Sequence, residues 1–490
     1  MTVKAKLPLF AGALAALSIV YTSSSASAAG LYFPDRGVRP LGRGGAFVAG
    51  ADDLGAISYN IAGTYDAGSA LFLDAAWVNF ASEYTRQAIV RQVDPNTQET
   101  VSEFVQTYPT VNGSTPFLPI PTLAVSFQPH PQWVISLGAW APYAGLPSYP
   151  ETVQNKPAAQ RYSLISLNGS ALAFVGAGAA FAPNKEWRFG LAAGVLAGSF
   201  ASTVNFTGCV PERFFCANED PQWDVLAELK AAPIIAPTGE LGAIWIPAPW
   251  IRAGLSAQLP VFVRAGATVR TRLPSAPVFE NAAQDGQEAE LSFDLPWNVR
   301  AGVELRLIDN LRVEVGGGFE QWSMHDKIRL DPKGIALKNI AAFPETYLLP
   351  TIDLPRNFQD TFSVRAGGEY ALKLLDLDWQ VRAGVSYESS AVPTDYMHVL
   401  TIDSDKVSAS LGLSVQIGKV RLDAAYGHVF FMDRTVDPRN GKIAQIAPVT
   451  SNPPLYPNII NGGQYSMRGD IVGLGITYQL SGVPKEFASQ

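Results

Sequence analysis

Charged residues stand at alternate positions in several segments of the second half of the chain. They are Arg252, Arg300, Glu304, Arg306, Arg312, Glu314, Arg365, Glu369 and Arg382. Guanidinium and carboxylate groups on one face of neighbouring segments form charge-assisted, often bidentate pairs, and an arginine can equally hold the carboxylate of a ligand. The pattern predicts a water-accessible, charged surface that binds another part of the chain or an anionic group.

None of the motifs that assemble a catalytic or cofactor site is present. The chain lacks G-x-S-x-G, H-E-x-x-H and P-loop patterns, and its four histidines (His130, His325, His398 and His428) are scattered. The glycine-rich stretch 41–47 has no buried strand before it and no amphipathic helix after it, so it is not a nucleotide loop. We expect no enzyme, no cofactor and no metal site.

The first residues predict export from the cytoplasm. Lys4 and Lys6 precede an apolar run over 7–20, which is too short to span a bilayer, and Ala26-Ser27-Ala28 has the form of a cleavage site. We therefore predict a signal peptide over 1–28. A retained anchor helix is the alternative, and the small-residue site argues against it.

Two cysteines lie close together in the sequence. Cys209 and Cys216 are predicted to form a disulfide, because an exported chain meets an oxidising compartment. A metal site is the weaker interpretation, since no histidine or further cysteine lies beside them.

Apolar and polar residues alternate along much of the chain. Over 299–307, for example, Val303 and Leu305 point away from Glu304 and Arg306. About fourteen such segments run to ~10 residues or more, longer than the ~5–6 typical of soluble sheets. Aromatic residues stand near their ends, and charged residues make up only 16% of the chain. The pattern predicts an all-β fold, a transmembrane antiparallel β-barrel over 69–480, rather than a soluble sandwich.

The connections between these segments alternate between short and long. Short turns at 183–185, 247–249 and 309–310 belong on the periplasmic side, and long loops outside. This places the protein in the outer membrane of a Gram-negative bacterium. The net charge is −7 and no basic patch occurs, which excludes nucleic acid as a partner.

Residues 29–68 differ from the rest of the chain. They are rich in glycine and aspartate and alternate little. We predict that they fill the barrel as a plug. A disordered periplasmic tail is the alternative, but low charge and interspersed apolar residues argue against it. Residues 481–490 are expected to form a C-terminal tail.

The stretch 38–63 carries a resemblance to a known family. It includes Gly42, Gly45, Asp52, Asp53 and Asn60, and it is similar to the hatch signature G-A-x-x-A-x-A-D-D-x₆-N-P-A-G of the FadL/TodX family. Ile61 stands where that signature has proline. Residues 140–146, 354–361 and 382–393 resemble the same family, whose members are outer-membrane transporters of long-chain fatty acids and other hydrophobic compounds.

The resemblance implies a mechanism. Ligand would pass from the outer loops to a pocket behind the hatch and leave sideways through the wall at the third strand. Leu31, Tyr32 and Phe33 would form an apolar tip of the hatch. Pro142 and Gly145 would break the pairing at the end of the third strand, and Tyr143 between them is expected, like the others, to take part in ligand passage or gating. A plain strand-to-loop turn explains Pro142 and Gly145 equally well.

The resemblance also names the partners. These are fatty acids, alkanes or aromatics, together with outer-membrane lipid and lipopolysaccharide, for a monomeric protein. A surface adhesin or a structural barrel without transport is the alternative function. An outer-membrane lipid hydrolase is disfavoured, because no nucleophile–base arrangement is readable.

Overall fold

The structure is a computed structural model. It describes residues 37–94, 97, 100–115, 119–143, 147–210, 216–217, 219–341, 343, 346–448 and 458–481. The predicted signal peptide, and Leu31, Tyr32, Phe33 and Gly145, lie outside these ranges.

Nearly all regular structure is β-strand. The first strands in chain order are β1 Ala70–Val93, β2 Thr100–Thr107, β3 Val111–Gly113, β4 Pro119–His130, β5 Trp133–Tyr143, β6 Thr152–Val153, β7 Lys156–Pro157, β8 Ala171–Phe181, β9 Trp187–Thr207, β10 Asp224–Ala248, β11 Ile251–Gln258, β12 Val261–Arg272 and β13 Ala283–Asp285. The later strands are β14 Glu288–Leu295, β15 Asn298–Ile308, β16 Leu311–Glu320, β17 Lys327–Pro332, β18 Ala336–Lys338, β19 Thr346–Leu348, β20 Ile352–Pro355, β21 Thr361–Leu374, β22 Leu377–Glu388, β23 Lys406–Ile417, β24 Val420–Phe431, β25 Arg434–Val436 and β26 Gly463–Gln479.

The helices are short. Two helices of the described residues are α-helical, α1 Val38–Gly42 and α2 Thr64–Ala67. The 3-10 helices are Leu54–Ser58, Ile61–Gly63, Ala159–Tyr162, Pro221–Trp223, Pro277–Phe279, Trp322–Met324 and Thr394–Tyr396. Among the residues that the structure describes, no helix is both long enough and apolar enough to cross a membrane.

The strands form a closed antiparallel barrel of fourteen crossings, as the sequence predicts. The first and last strands pair from Ala70↔Gln479 to Arg86↔Gly463, which closes the ring. Closure leaves no unpaired edge, which is the condition for a sheet in a bilayer.

The period-2 alternation orients the wall. On β1, Leu71 and Leu73 are exposed on the outer face, whereas Phe72 and Asp74 are buried on the inner face. Lipid can solvate the outer side chains, and the inner ones face the lumen. The charged positions singled out in the sequence lie on strands of this wall.

One rim of the barrel has tight turns. Residues 131–132, 249–250, 309–310, 375–376 and 418–419 join successive strands there. Short turns mark the periplasmic side. At the other rim several crossings continue beyond the bilayer as further strands, among them β17 and β20. The adjoining β16 and β21, of 10 and 14 residues, already meet the ~9–11 residues that a crossing needs.

Candidate functional site

Residues 37–67, here called the plug, lie inside the barrel. Almost every one of them is buried, and they bond to the inner faces of strands all around the ring. Two signature residues shape the plug by capping its 3-10 helices. The Asp53 carboxylate accepts from Gly55 N at 2.8 Å, and the Asn60 side chain accepts from Ala62 N at 3.2 Å.

A network of charges joins the plug to the wall. Arg39 binds Glu369 through two hydrogen bonds of 3.0 Å and also contacts Asp52. Asp52 in turn accepts from Arg312 at 2.6 Å. Buried charges require such partners, because removal from water is otherwise unfavourable. The sequence-predicted arginines and glutamates therefore hold the plug, as well as each other.

A second set of contacts uses the main chain of the plug. Glu314 accepts hydrogen bonds from the backbone N–H groups of Val48, Ala49 and Gly50, at 2.7, 3.0 and 2.8 Å. Arg43 also pairs with Glu314, at 3.3 Å. One wall carboxylate thus binds three consecutive backbone N–H groups of the plug and one plug side chain.

Glycines on the inner face of the wall let the plug approach closely. A Cβ atom on Gly384 would lie 2.1 Å from the carbonyl carbon of Arg43, and one on Gly367 would lie 2.0 Å from the Arg43 oxygen. A Cβ atom on the signature residue Gly42 would likewise lie 2.9 Å from the Cα of Gly412. Gly45 has φ +75°, which side chains other than glycine rarely adopt. Main chain packs directly on main chain here.

Ile61, which replaces the signature proline, has a contact that proline cannot make. Its backbone N–H donates to Glu240 Oε1 at 3.1 Å. The neighbouring Asn60 donates its side-chain N–H to Val48 O at 2.9 Å and to Ala243 O at 3.2 Å. Isoleucine in place of proline therefore loses the fixed backbone angle of proline and adds one hydrogen bond between the plug and the wall.

The third strand of the wall, β5, is irregular at its outer end. Its pairing with β8 is regular to Trp140↔Phe174 and then shifts before Tyr143↔Leu172. The pairing of β5 with β4 ends at Trp140. Pro142 and Tyr143 form the end of β5, at this shift. The ladder is weaker at this point than elsewhere along β5, since fewer bonds hold it.

An apolar groove of about 650 Å³ runs along the outer face of the same strands, between the periplasmic turns and the shift in pairing. Its lining includes Leu71, Leu123, Leu137, Val175 and Ile476, on β1, β4, β5, β8 and β26. Such a surface is compatible with a hydrocarbon chain.

A cavity of about 400 Å³, here called the lumenal cavity, lies toward the rim of long loops. Its apolar lining includes Phe200, Leu229, Val269, Leu330 and Ile352. These residues are far along their strands from the periplasmic turns, whereas the plug binds residues close to those turns, such as Glu304 and Glu369. The cavity is thus on the outer side of the plug. Its size and lining are those of a small-molecule site.

The lining of the lumenal cavity also contains polar side chains, and two buried ones contact each other. Arg356 and His398, each 3% exposed, line it, and Arg356 Nη1 donates to His398 Nε2 at 2.9 Å. Burial lowers the pKa of Arg356 to about 10. Burial and then the Arg356 charge lower the pKa of His398 well below its usual value, and that of the nearby His325 to about 4. Near neutral pH the guanidinium is charged and both imidazoles are neutral.

Sequence reasoning did not single out Arg356 as a site residue. It lies in the connection between β20 and β21, where no alternation marks the inner face. Its surroundings come from residues far away in the sequence, including His398. The only sign of it in the sequence was a positively charged residue next to Pro355, outside the alternating segments.

A disulfide joins Cys209 and Cys216, whose Cα atoms are 5.8 Å apart. It lies in the long connection between β9 and β10. Glu219, further along the same connection, pairs with Arg86 of β1 and accepts from Asn458 Nδ2 at 2.8 Å. These contacts fix the connection between β9 and β10 to β1 and to the connection between β25 and β26.

Comparisons with known proteins agree with this architecture. The family model for "Outer membrane protein transport protein (OMPP1/FadL/TodX)" matches residues 19–468. A comparison with curated proteins finds no match.

Solved structures share the fold. A Pseudomonas aeruginosa FadL homologue is 16% identical with a TM-score of 0.66, over 92% of this chain and 100% of its own. The Pseudomonas putida toluene transporter TodX is 13% identical with a TM-score of 0.59, over 90% and 100%. The Ralstonia pickettii toluene transporter TbuX is 13% identical with a TM-score of 0.55, over 91% and 99%.

Proposed function

Because this chain belongs to the OMPP1/FadL/TodX family of outer membrane transport proteins, we propose that it carries out passive, ligand-gated uptake of hydrophobic molecules, with long-chain fatty acids as the principal class. The observation that carries the proposal is the lumenal cavity. Its lining is mainly apolar, it lies on the outer side of the plug, and the plug residues below it are buried.

A straight water-filled pore does not suit such a ligand. Release of hydrocarbon from an apolar site into water costs about 25 cal/mol per Å² of surface exposed. The plug fills the lumen toward the periplasm, so a ligand in the lumenal cavity faces polar and charged groups in that direction. A sideways route keeps the hydrocarbon away from water.

The irregular end of β5 supports a sideways exit through the wall. The pairing with β8 shifts after Trp140, and the outer groove runs along the same strands. We propose that ligand leaves the lumen at this point and enters the bilayer along the groove. Movement of the plug gates the passage, together with movement of Leu31, Tyr32 and Phe33, which precede the plug in the sequence. The protein acts as a monomer without cofactor or catalysis.

The proposal is tested by uptake of labelled oleate in cells that lack their own fatty-acid porin. Uptake by cells that express the full chain is compared with uptake by cells that express a variant without residues 29–60. Resistance to unfolding in detergent shows that the barrels of both proteins are assembled. We expect the full chain to raise uptake and the deletion to change it. A folded, surface-exposed barrel that takes up neither oleate, alkane nor toluene would overturn the proposal.

The route is tested with a removable cross-link. Tyr143→Cys with Leu172→Cys joins β5 to β8 beyond the shift in pairing. Ile135→Cys with Ala179→Cys joins the same strands in the regular part, away from the lining of the outer groove. We expect oxidation to stop uptake only in the first pair and reduction to restore it. Equal uptake by oxidised and reduced forms of the first pair argues for a different exit.

A further inference from the structure

Arg356 presents unused hydrogen-bond donors to an apolar cavity. Its Nε and Nη2 atoms are buried and have no hydrogen-bond partner. Its Nη1 donates to His398 Nε2 at 2.9 Å and, more weakly, to Pro355 O at 3.4 Å. Buried polar groups are nearly always satisfied, and a guanidinium carries five donors, so this side chain is incomplete as it stands.

The positive charge of Arg356 is also uncompensated. Within the described part of the chain, no carboxylate forms an ion pair with it. Asp353 lies on the same cavity but is bound by Arg329, at 2.7 and 2.9 Å, and by Lys327. Lys442 is an exposed second cation of the lining. A buried arginine without a counter-charge is rare in proteins, because the cost of its desolvation is not offset.

A second lining residue also presents an unused donor. The Nε2 atom of Gln445 is buried and has no partner, while its Oε1 accepts from Asn458 Nδ2 at 2.9 Å. Two residues of the cavity lining, Arg356 and Gln445, have buried side-chain atoms without a hydrogen-bond partner, and in both residues these atoms are donors. A ligand that completes them must supply acceptors, and one that neutralises Arg356 must be an anion.

We infer that Arg356 binds the carboxylate of an aliphatic acid whose hydrocarbon chain occupies the lumenal cavity. The Nε and Nη2 atoms of a guanidinium lie on one edge of its plane and match the two oxygens of a carboxylate. This inference rests on the proposed function and narrows it, because it predicts a preference for acids over uncharged hydrocarbons of equal length.

His398 acts as a positioning residue. Its Nε2 accepts from Arg356, so the ring is neutral and holds the guanidinium without cancelling its charge. An aspartate at this position would act as an internal counter-ion and compete with the ligand. Of the other titratable groups around Arg356, His325 donates its Nδ1–H to Asp294 O at 2.8 Å and is likewise neutral.

The test measures equilibrium binding of labelled dodecanoate and labelled 1-dodecanol to the full chain in lipid nanodiscs. We expect Arg356→Gln to weaken dodecanoate binding by about 10- to 100-fold and to leave dodecanol within about threefold, because only the acid loses charge-assisted bonds. Arg356→Lys should retain part of the preference. Arg264→Gln, which removes an exposed arginine paired with Asp294, is the matched control and should change neither ligand.

His398 gives an independent readout. His398→Asp should lower dodecanoate binding as far as Arg356→Gln does and leave dodecanol unchanged, whereas His398→Asn, which keeps an acceptor, should retain the acid preference. Thermal unfolding without ligand distinguishes a structural role. Arg356→Gln should unfold at the same or a higher temperature than the parent, since it removes an uncompensated charge.

The outcomes separate the two proposals. If Arg356→Gln weakens acid and alcohol equally, or neither, or if it lowers the unfolding temperature without a change in acid preference, the carboxylate site is wrong and the transport proposal stands. If the parent protein binds neither dodecanoate nor dodecanol, the carboxylate site is wrong, and the uptake assay with oleate, alkane and toluene decides the transport proposal separately.

Discussion

Arg39 of the plug and Glu369 of the wall are joined by two parallel hydrogen bonds of 3.0 Å each. Glu369 also binds Arg312, at 2.5 Å, and Arg382. One carboxylate on β21 is therefore the common partner of three guanidinium groups, one from the plug and two from the wall.

Glu369→Gln should loosen the plug while the barrel stays assembled. Loss of one partner of a buried ion pair costs about 3–5 kcal/mol, because the remaining charge is left uncompensated. We expect faster protease cleavage within 37–67 and a larger single-channel conductance in planar bilayers. Asp285→Asn, which removes an exposed carboxylate paired with Lys338, is the control and should leave both unchanged. A conductance equal to that of the parent would show that other contacts suffice to hold the plug.

Gly384→Ala should displace the plug by a steric effect alone. The added Cβ would lie 2.1 Å from Arg43 C and 2.3 Å from Gly44 N, both main-chain atoms that cannot rotate away. Gly266→Ala is the matched control, because no atom lies within 4 Å of the Cβ built there. Spin labels on the plug and on the wall should show a changed distance for the first variant only. An unchanged distance for Gly384→Ala would mean that the wall yields instead.

Ile61→Pro, which restores the family residue, should destabilise the plug rather than improve it. Proline removes the N–H that bonds Glu240 at 3.1 Å, and a hydrogen bond to a charged group contributes about 1.5–3 kcal/mol. The side chain of Ile61 is also lost from its contact with Gly178. Hydrogen exchange of residues 54–67 should become faster. Ile61→Val, which keeps the N–H, should show a smaller effect, and slower exchange in Ile61→Pro would contradict the argument.

His325 should make the barrel less stable in acid. Its pKa is about 4 in the folded protein, because of burial first and Arg356 second, against 6.5 in the unfolded chain. Between these values the unfolded chain binds the extra proton, so stability decreases as the pH falls from about 6.5 through about 4. The loss amounts to roughly 3 kcal/mol of unfolding free energy. His325→Gln should reduce the dependence of the unfolding temperature on pH across this range. His130→Gln, at an exposed position, should leave that dependence unchanged. An equal pH dependence of the unfolding temperature in His325→Gln and in the parent would show that another group causes the loss of stability in acid.

The sequence was sufficient for the barrel and insufficient for the cavity. Alternation of Val303 and Leu305 with Glu304 is a local property, so it predicts both the strand and the side of the wall on which Glu304 lies. The choice of partner is not local. Nothing in the sequence joins Glu304 to Arg43, because that contact depends on how the plug folds inside the closed ring.

The same limit applies to Arg356 and to the glycines of the wall. Arg356 and His398 meet because two separate connections converge at the outer rim, and no periodicity reports such a convergence. The chain has 43 glycines, but only the placement of the plug distinguishes Gly384, which it touches, from Gly266, which it does not.

The pairing of β1 with β26 has a consequence for the order of assembly. The ring is complete only when the last strand to be synthesised meets the first, a contact between the most distant parts of the barrel sequence. The plug directly precedes β1 and is enclosed by side chains from the whole ring. Its ion pairs therefore join the start of the described chain to late strands, as Arg39 and Glu369 do at a sequence separation of 330, and they require those strands to be in position.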